Sequence, residues 1–407
     1  MKLEKIQRCI VCGREYPPEA VVYSCGGCGG LIEVSLLNLE KFSADELKRV
    51  WEARQGGMWR FRELIPIERE PVTLKEGGTP LYRAEKTAKW AGVRELFIKY
   101  EGVNPTGSFK DRGMSVGVSK ALELGKRVVV CASTGNTSSS MAAYAAAAGL
   151  RAVVLVPRGR VAAGKMFQTV LYGADTYTVD EGFDTALQTV LTVSSRSDAY
   201  ILNSVNPWRI EGQKTLAYEI WEAMGDEDYV VSVPVGNCGN ISAIWKGFKE
   251  LESLNLLDST PRLIGVQAEG ASPFVEMVER GDDMLIPVEK PSTIASAIRI
   301  GHPANWPKAL RAIRESSGLV ERVSDAEIVE CQHLLASAEG VGVEPASAAS
   351  LAGVRKLREK GLLDRSTVVV CIATGHALKD PNPELVSLQP KPTPSDPKEL
   401  LKILTMQ

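Results

Sequence analysis

The sequence has no excess of charge of one sign, no long apolar run and no internal repeat. Its 407 residues include 48 basic and 50 acidic side chains, so the formal net charge is −2. Binding to nucleic-acid phosphates requires a broad basic surface, so we expect no nucleic-acid partner. The stretch nearest in length to a membrane span, 141–156, is interrupted by Gly149 and Arg151. We therefore expect no membrane-spanning segment.

The first residues, Met-Lys-Leu-Glu-Lys, lack the apolar core of a signal peptide, which predicts a cytoplasmic protein. The composition, 44% hydrophobic and 24% charged, is that of an ordinary soluble chain. The length exceeds what a single hydrophobic core usually supports, so we expect two or three domains.

Short β-branched runs alternate with helical segments from about residue 94 onward. Strands are predicted at 95–100, 128–132, 152–156, 229–235, 263–268 and 367–372, and helices at 110–125, 138–148 and 241–251. Continuous apolar strands separated by helices are typical of parallel sheets that are covered on both faces. The predicted fold class is therefore α/β. The proline-rich segment 381–397 predicts an irregular tail, and a short helix is predicted at 398–404.

The first 36 residues are predicted to form a separate cysteine-rich module. Cys9 and Cys12 make one C-x₂-C pair, and Cys25 and Cys28 make a second pair after twelve intervening residues. Each pair presents two thiolates at the spacing that a tetrahedral zinc ion requires. The alternative is a pair of disulfides, which a cytoplasmic location disfavours. We predict a structural zinc site, because four cysteine ligands leave no coordination position open for catalysis.

Polar segments at the predicted strand ends contain the candidate catalytic residues. Lys110 lies in the segment 104–113, the loops 133–138 and 236–240 each join a buried strand to a helix, and 373–376 follows the last strand. In open α/β sheets such loops converge on one crevice. A glycine-rich strand-to-helix turn leaves backbone amides free to bind an anion, so 236–240 fits a phosphate. The alternative for that loop is a tight turn without a ligand.

Lys110 is the candidate nucleophile. A lysine that attacks an aldehyde must be partly desolvated or flanked by positive charge, so that its amine is neutral near pH 7. Taken alone, the residue would be an ordinary surface lysine. A lysine, a phosphate cradle and polar strand-end side chains together suit pyridoxal 5′-phosphate, which forms a Schiff base with a lysine.

Five segments resemble the threonine synthase family, which has the tryptophan-synthase-β-like fold. They are 104–113, 133–138, 203–214, 234–240 and 374–380. The likeness runs from about Gly77 to Asp380 in the family's order, and several threonine synthases also begin with a cysteine-rich stretch. The segment 203–214 is the most specific, whereas the lysine motif is shared with threonine dehydratases.

The resemblance implies two open, mostly parallel twisted sheets flanked by helices. The larger, cofactor-binding domain would comprise 37–118 and 206–380, and the smaller α/β domain 119–205. The zinc-ribbon-like module would be 1–36, and the tail with its C-terminal helix 381–407. The resemblance also implies a homodimer.

The resemblance further implies a role for each matching residue. Lys110 would form the Schiff base, and Phe109 would pack near the cofactor ring. Asn136 would hydrogen-bond the ring hydroxyl, and Thr374 would face the ring nitrogen. The cofactor phosphate would lie in a cradle made of Gly236, Asn237, Cys238, Gly239 and Asn240.

The substrate implied by the resemblance is O-phospho-L-homoserine, whose phosphate needs a second anion pocket. Arg209, with Asn203 and Ser204, is the candidate for that pocket, because a guanidinium binds phosphate oxygens bidentately. The alternative for Arg209 is a surface ion pair with Glu211. The remaining substrate-binding candidates, for the α-carboxylate or the same phosphate, are Ser133, Thr134 and Thr137.

Four further residues near these motifs are predicted to have supporting roles. His302 is expected to be packed or partly exposed, and His376 to lie near the ring nitrogen without being catalytic. Cys238 is expected to be selected for its small size. Glu344, just before Pro345, is predicted to be a structural helix entry.

The predicted activity is that of a threonine synthase, acting through a Schiff base of pyridoxal phosphate with Lys110. One alternative is another enzyme of the same fold, such as a cysteate synthase or a threonine dehydratase. A second alternative, from a different class, is an inactive binding protein that uses the cysteine-rich module to recruit a partner.

Overall fold

The computed structural model describes residues 3–157, 163–179, 197–225 and 227–381, together with 189, 190, 192, 398, 401, 402 and 404. Residues 382–397 of the predicted proline-rich tail lie outside these residues, as do positions 399, 400 and 403 of the predicted C-terminal helix. Among the residues described, none of the helices combines the length and the apolar character that crossing a bilayer requires.

Strands and helices alternate along most of the described chain. The strands are β1 (Glu4–Cys9), β2 (Glu15–Tyr16), β3 (Ile32–Leu37), β4 (Leu81–Arg83), β5 (Glu95–Tyr100), β6 (Val128–Ala132), β7 (Arg151–Pro157), β8 (Asp175–Val179), β9 (Ala199–Ile201), β10 (Val230–Pro234), β11 (Arg262–Ala268), β12 (Leu319–Val323) and β13 (Val368–Ala373). The helices are α1 (Ala44–Ala53), α2 (Glu85–Ala91), α3 (Lys110–Glu123), α4 (Asn136–Ala148), α5 (Ala163–Leu171), α6 (Trp208–Gln213), α7 (Thr215–Met224), α8 (Gly239–Ser253), α9 (Pro273–Arg280), α10 (Trp306–Glu315), α11 (Asp325–Glu339) and α12 (Pro345–Glu359).

The largest sheet has six strands in the order β12-β11-β10-β13-β5-β4. All neighbouring strands are parallel except β4, which pairs antiparallel with β5 at one edge. Alternate residues of β13 point into two different cores: Val368 and Val370 pack with α8, whereas Val369 and Cys371 pack with α12. Helices therefore cover both faces of this sheet, which explains the uninterrupted apolar runs in its central strands.

The second sheet has four parallel strands in the order β8-β7-β6-β9. All four strands lie within 119–205, the range predicted for a smaller domain. Its core includes alternate residues of β6 together with small and aromatic residues of α4. The two parallel sheets agree with the predicted fold class; the domain boundaries stay a prediction.

The N-terminal module is a three-stranded antiparallel sheet in the order β2-β1-β3. It contacts the region of the large sheet through α10, where Lys308 Nζ donates to the carbonyl of Ile32 at 2.7 Å and Arg311 pairs with Glu33 at 2.6 Å. It also reaches the four-stranded sheet, because the amide of Ile201 donates to the Tyr23 hydroxyl at 2.8 Å. The module thus packs against both parallel sheets.

Candidate active site

Lys110 is the first residue of α3, and it directly follows the buried Phe109. Its Nζ lies 3.7 Å from the centroid of the Phe109 ring. The pKa of Lys110 is lowered to about 7, mainly by burial and also by the positive charges of Arg209 and Lys379, while Glu344 acts in the opposite direction. A large fraction of this amine is therefore neutral near pH 7, as attack on an aldehyde requires.

The start of α3 is fixed by a buried group of charges. The Arg112 guanidinium contacts Glu101 at 2.7 and 2.8 Å and Glu219 at 2.7 Å through two nitrogens. Lys99 Nζ also contacts Glu219 at 2.7 Å, so two cations and two carboxylates balance inside the protein. Breaking such a buried group by removing one partner is costly. The residue two positions after Lys110 therefore anchors the turn that presents the lysine.

Asn136, Glu344 and Thr374 come together next to Lys110. Asn136 Nδ2 donates to Glu344 Oε2 at 2.8 Å, and Thr374 Oγ1 lies 2.9 Å from Glu344 Oε1. The backbone of Thr374 is also tied to the lysine loop, because the Phe109 amide donates to its carbonyl at 3.0 Å. Asn136 and Thr374, which are predicted to contact a cofactor ring, thus both hydrogen-bond the Glu344 carboxyl group.

The sequence prediction for Glu344 was incomplete. Its backbone does cap the start of α12, as a helix-entry residue should, but its side chain makes no capping bond there. Its carboxyl group instead faces Asn136 and Thr374. The one available signal was an acidic residue within Val341-Gly-Val-Glu-Pro345, a stretch otherwise small and apolar.

The loop between β10 and α8 has the form of an anion cradle. Cys238 adopts a left-handed conformation with φ 62°, which turns the chain into the first amides of α8. A Cβ on Gly236 would lie 3.0 Å from the carbonyl oxygen of Ala297, so a larger residue would crowd the backbone there. Asn240 is 7% exposed, and neither its Oδ1 nor its Nδ2 has a hydrogen-bond partner in the described part of the chain. A buried amide without partners indicates that a polar ligand completes this loop.

The other cradle residues have structural contacts. Asn237 Oδ1 accepts from the Ala304 amide at 2.6 Å, and its carbonyl accepts from the Asn305 amide at 3.2 Å. Gly239 begins α8, and a Cβ there would lie 3.7 Å from Nδ2 of Asn305, which is an ordinary contact distance. Cys238 is 2% exposed and burial raises its thiol pKa, so the thiol stays neutral, in keeping with the prediction that size matters here.

Arg209 is a buried cation for which the described residues provide no counter-ion. It is 3% exposed, its Nε has no hydrogen-bond partner, and no carboxylate among the residues described forms an ion pair with it. The alternative of an ion pair with Glu211 is wrong: Glu211 instead contacts Lys214 at 2.7 Å and also contacts Lys246. Such a guanidinium is expensive to bury alone and indicates an anionic ligand.

The remaining predicted substrate residues border the same region. Asn203 uses both ends of its amide on Ala132 at the end of β6, at 3.0 and 2.9 Å, and Ser204 accepts from Asn305 Nδ2 at 2.9 Å through its carbonyl. Ser133 Oγ accepts from the Gly135 amide at 3.3 Å. Thr134 and Thr137 are half-buried at the start of α4, where the first helix amides have no partner within the helix.

The histidines make few contacts in this region. His302 is exposed. His376 caps the short helix Ala377–Lys379, where its Nδ1 accepts from the Leu378 amide at 3.1 Å. Lys379, which the sequence reasoning did not single out, spans from this helix to Ser139 of α4 at 2.8 Å.

Cys9, Cys12, Cys25 and Cys28 meet at one end of the N-terminal sheet. Their sulfur atoms all lie within 4.8 Å of one another, and the four thiols are free. The amides of Val11 and Gly27 each donate to a cysteine sulfur at 3.4 Å. Zinc–sulfur bonds of about 2.3 Å in a tetrahedron place sulfurs roughly 3.8 Å apart, so this donor set fits zinc.

Comparison with known proteins gives a consistent result. The chain matches the model of the family described as "Pyridoxal-phosphate dependent enzyme" over residues 72–375. It is 50% identical over 376 residues to the threonine synthase of Methanosarcina acetivorans, covering 92% of each chain. It is 51% identical over 381 residues to that of Methanocaldococcus jannaschii, covering 93% of each. Among solved structures, maize serine racemase aligns with a TM-score of 0.65 at 22% identity, covering 80% of this chain and 92% of that one, which supports the fold.

Proposed function

Because the chain belongs to the threonine synthase family of pyridoxal-phosphate dependent enzymes, we propose that it converts O-phospho-L-homoserine and water to L-threonine and phosphate. The bond from Cγ to the phosphate oxygen breaks and a proton is added at Cγ. At Cβ a C–H bond breaks and the oxygen of water bonds in its place, while one proton of the water leaves with the phosphate. The observation that carries the proposal is Arg209, a buried cation with no counter-ion among the described residues, beside a lysine of lowered pKa.

The residues present fit pyridoxal phosphate. Lys110 would hold it covalently, Asn136 and Thr374 would contact the ring, and Phe109 would pack near it. The phosphate would lie in the cradle Gly236, Asn237, Cys238, Gly239 and Asn240, where it would satisfy the Asn240 amide. When bound, the cofactor supplies an electron sink for charge at the substrate carbons.

Lys110 would move the protons at Cα, Cβ and Cγ, because its amine can be neutral or charged near pH 7. Thr374 would offer the ring nitrogen a hydroxyl instead of a carboxylate or a guanidinium, which would favour an unprotonated nitrogen. That weaker electron sink suits elimination and replacement.

Arg209 and Ser204 would bind the substrate phosphate, with Asn203 shaping the pocket through Ala132. Ser133, Thr134 and Thr137, at the start of α4, would bind the α-carboxylate. The amides at that helix start add to the attraction for an anion.

Three further properties belong to the proposal. The four N-terminal cysteines would hold a structural zinc ion, supported by their sulfur geometry. The protein would act in the cytoplasm as a homodimer. The domains would divide at the boundaries that the sequence predicts, with 119–205 as the smaller one.

The test is to add O-phospho-L-homoserine to the cofactor-loaded protein and measure phosphate and threonine together. Equal release of both is expected, and phosphate release without threonine would overturn the proposal. Lys110→Ala should lose the visible absorbance of the bound cofactor and all turnover. Parallel assays with O-phosphoserine and threonine test the two enzyme alternatives, which the relatives do not favour.

A further inference from the structure

Glu344 occupies a closed space between the two residues expected to contact the cofactor ring. Its Oε2 accepts from Asn136, and its Oε1 lies 2.9 Å from Thr374 Oγ1. The side chain is 1% exposed. Gly375 leaves room for it, because a Cβ at that position would lie 2.7 Å from the carboxyl carbon. The fold therefore provides a site for this one carboxyl group.

A hydroxyl group has a single proton, so the direction of the Thr374–Glu344 bond decides what Thr374 can offer elsewhere. An ionised Glu344 can only accept hydrogen bonds, so the Thr374 hydroxyl would donate to it. Thr374 would then have only lone pairs to present to the ring nitrogen. A protonated Glu344 can donate through Oε1, which leaves the Thr374 proton free to point at that nitrogen. Ser347, with its Oγ 3.0 Å from Thr374 Oγ1, also accepts from the Gly375 amide at 3.0 Å.

The surroundings favour the protonated carboxyl group. Among the residues that the structure describes, no lysine or arginine forms an ion pair with Glu344. Burial raises its pKa, the hydrogen bonds from Asn136 and Thr374 oppose that rise, Lys110 of α3 also opposes it, and Asp380 adds to it. Lys379 faces the same group, but its Nζ contacts Ser139 and Gln168.

We propose that the Glu344 carboxyl group is protonated in the cofactor-bound enzyme and donates a hydrogen bond to Thr374. Thr374 can then donate its own hydrogen bond to an unprotonated ring nitrogen. Through Oε2 the same carboxyl group fixes the Asn136 amide with its second N–H free for the ring hydroxyl. Glu344 is thus a positioning residue that acts through Thr374 and Asn136. The inference rests on the proposed binding of pyridoxal phosphate.

Glu344→Gln is the informative variant, because a glutamine can donate to Thr374 through Nε2 and accept from Asn136 through Oε1. It mimics the protonated carboxyl group and cannot ionise. We expect it to keep kcat within about threefold of the wild type, whereas Glu344→Met, which can do neither, should lose at least ~10-fold. As pH rises through the pKa of Glu344, wild-type kcat should fall, and Glu344→Gln should lack that fall.

Infrared difference spectroscopy of the cofactor-loaded protein, without substrate, tests the proton directly. The wild type should show a protonated carboxyl signal that is absent in Glu344→Gln and retained in Glu321→Gln. Glu321 is a matched control: its carboxyl group is also buried, and it contacts Lys360 and the Arg322 amide on the edge strand β12. The proposal would be overturned if Glu344→Gln removed the signal of an ionised carboxylate instead of a protonated one. A fall of kcat by more than ~100-fold in Glu344→Gln would also overturn it.

The same signal can be followed in the wild type alone while the pH is raised. We expect the infrared signal of the protonated carboxyl group to disappear over the same pH range in which the visible cofactor band shifts. An infrared signal that stays unchanged while the band shifts would contradict the inference. These readings need no turnover. If the protein binds the cofactor but forms no threonine, the proposed function is refuted. The infrared and visible measurements would still show whether Glu344 is protonated.

Discussion

Arg209 and Arg112 are both buried, but replacing them should change stability in opposite directions. Burial lowers the pKa of Arg209 to about 10, because no carboxylate in the described part of the chain offsets the loss of water. Each pKa unit corresponds to ~1.4 kcal/mol, so the charged guanidinium opposes folding by on the order of 3 kcal/mol. The pKa of Arg112 is instead raised, because Glu101 and Glu219 outweigh the effect of burial.

Arg209→Met should therefore raise the free energy of unfolding of the protein without cofactor or substrate, by up to about 3 kcal/mol. Arg112→Met should lower it by about 3–5 kcal/mol, because two buried carboxylates lose their main partner. Urea unfolding of both variants beside the wild type measures the two changes. Methionine is suitable in both places because it is flexible, apolar and long.

The activity of Arg209→Met should fall even though its stability rises. Hydrogen bonds to charged groups contribute about 1.5–3 kcal/mol each, so losing two of them should lower kcat/KM by at least ~100-fold. The reasoning would be refuted if Arg209→Met destabilised the protein as strongly as Arg112→Met, or if its KM for O-phospho-L-homoserine stayed unchanged.

Three further outcomes follow from the geometry. Because the amine of Lys110 is neutral above its pKa of about 7, the rate of cofactor capture should rise as pH increases through that value and then level off, measured by stopped-flow absorbance. Gly212→Ala should destabilise the protein by more than ~3 kcal/mol in urea unfolding, because its Cβ would lie 1.9 Å from the carbonyl oxygen of Arg112; an unchanged midpoint would contradict this packing. Cys12→Ser should release the bound metal and lower Tm, measured by metal analysis and calorimetry, whereas Cys331→Ser should retain the metal.

The elements that could be predicted from sequence are those with a continuous apolar pattern. The strands β10, β11 and β13 and the helices α3 and α8 were predicted to within about two residues, because their burial on both faces or along one stripe leaves a local signal. The strand β4 was missed: it has three residues, mostly exposed, and is a strand only because it pairs with β5. Such edge strands are decided by distant partners.

The candidate site could be predicted from sequence where the residues of a single segment are enough to suggest a function. Lys110 and the 236–240 loop each lie in a segment whose own residues suggest a function. The role of Glu344 depends on Asn136, 208 positions away, and on Thr374, 30 positions away, so the acidic residue within 341–345 could not by itself indicate these partners. The burial of Arg209 was likewise hidden, since an arginine followed by a glutamate two residues later suggests a surface pair.

The position of β13 has a consequence for how the protein is made. It is the last strand in the described part of the chain, yet it lies between β10 and β5 in the middle of the six-stranded sheet. During synthesis β4 and β5 leave the ribosome early and can pair with each other, but the inner edge of β5 has no strand partner until Ala373 has emerged. A chain that stopped before Val368 would hold two separate pieces, β12-β11-β10 and β5-β4, each with an unpaired inner edge open to other chains.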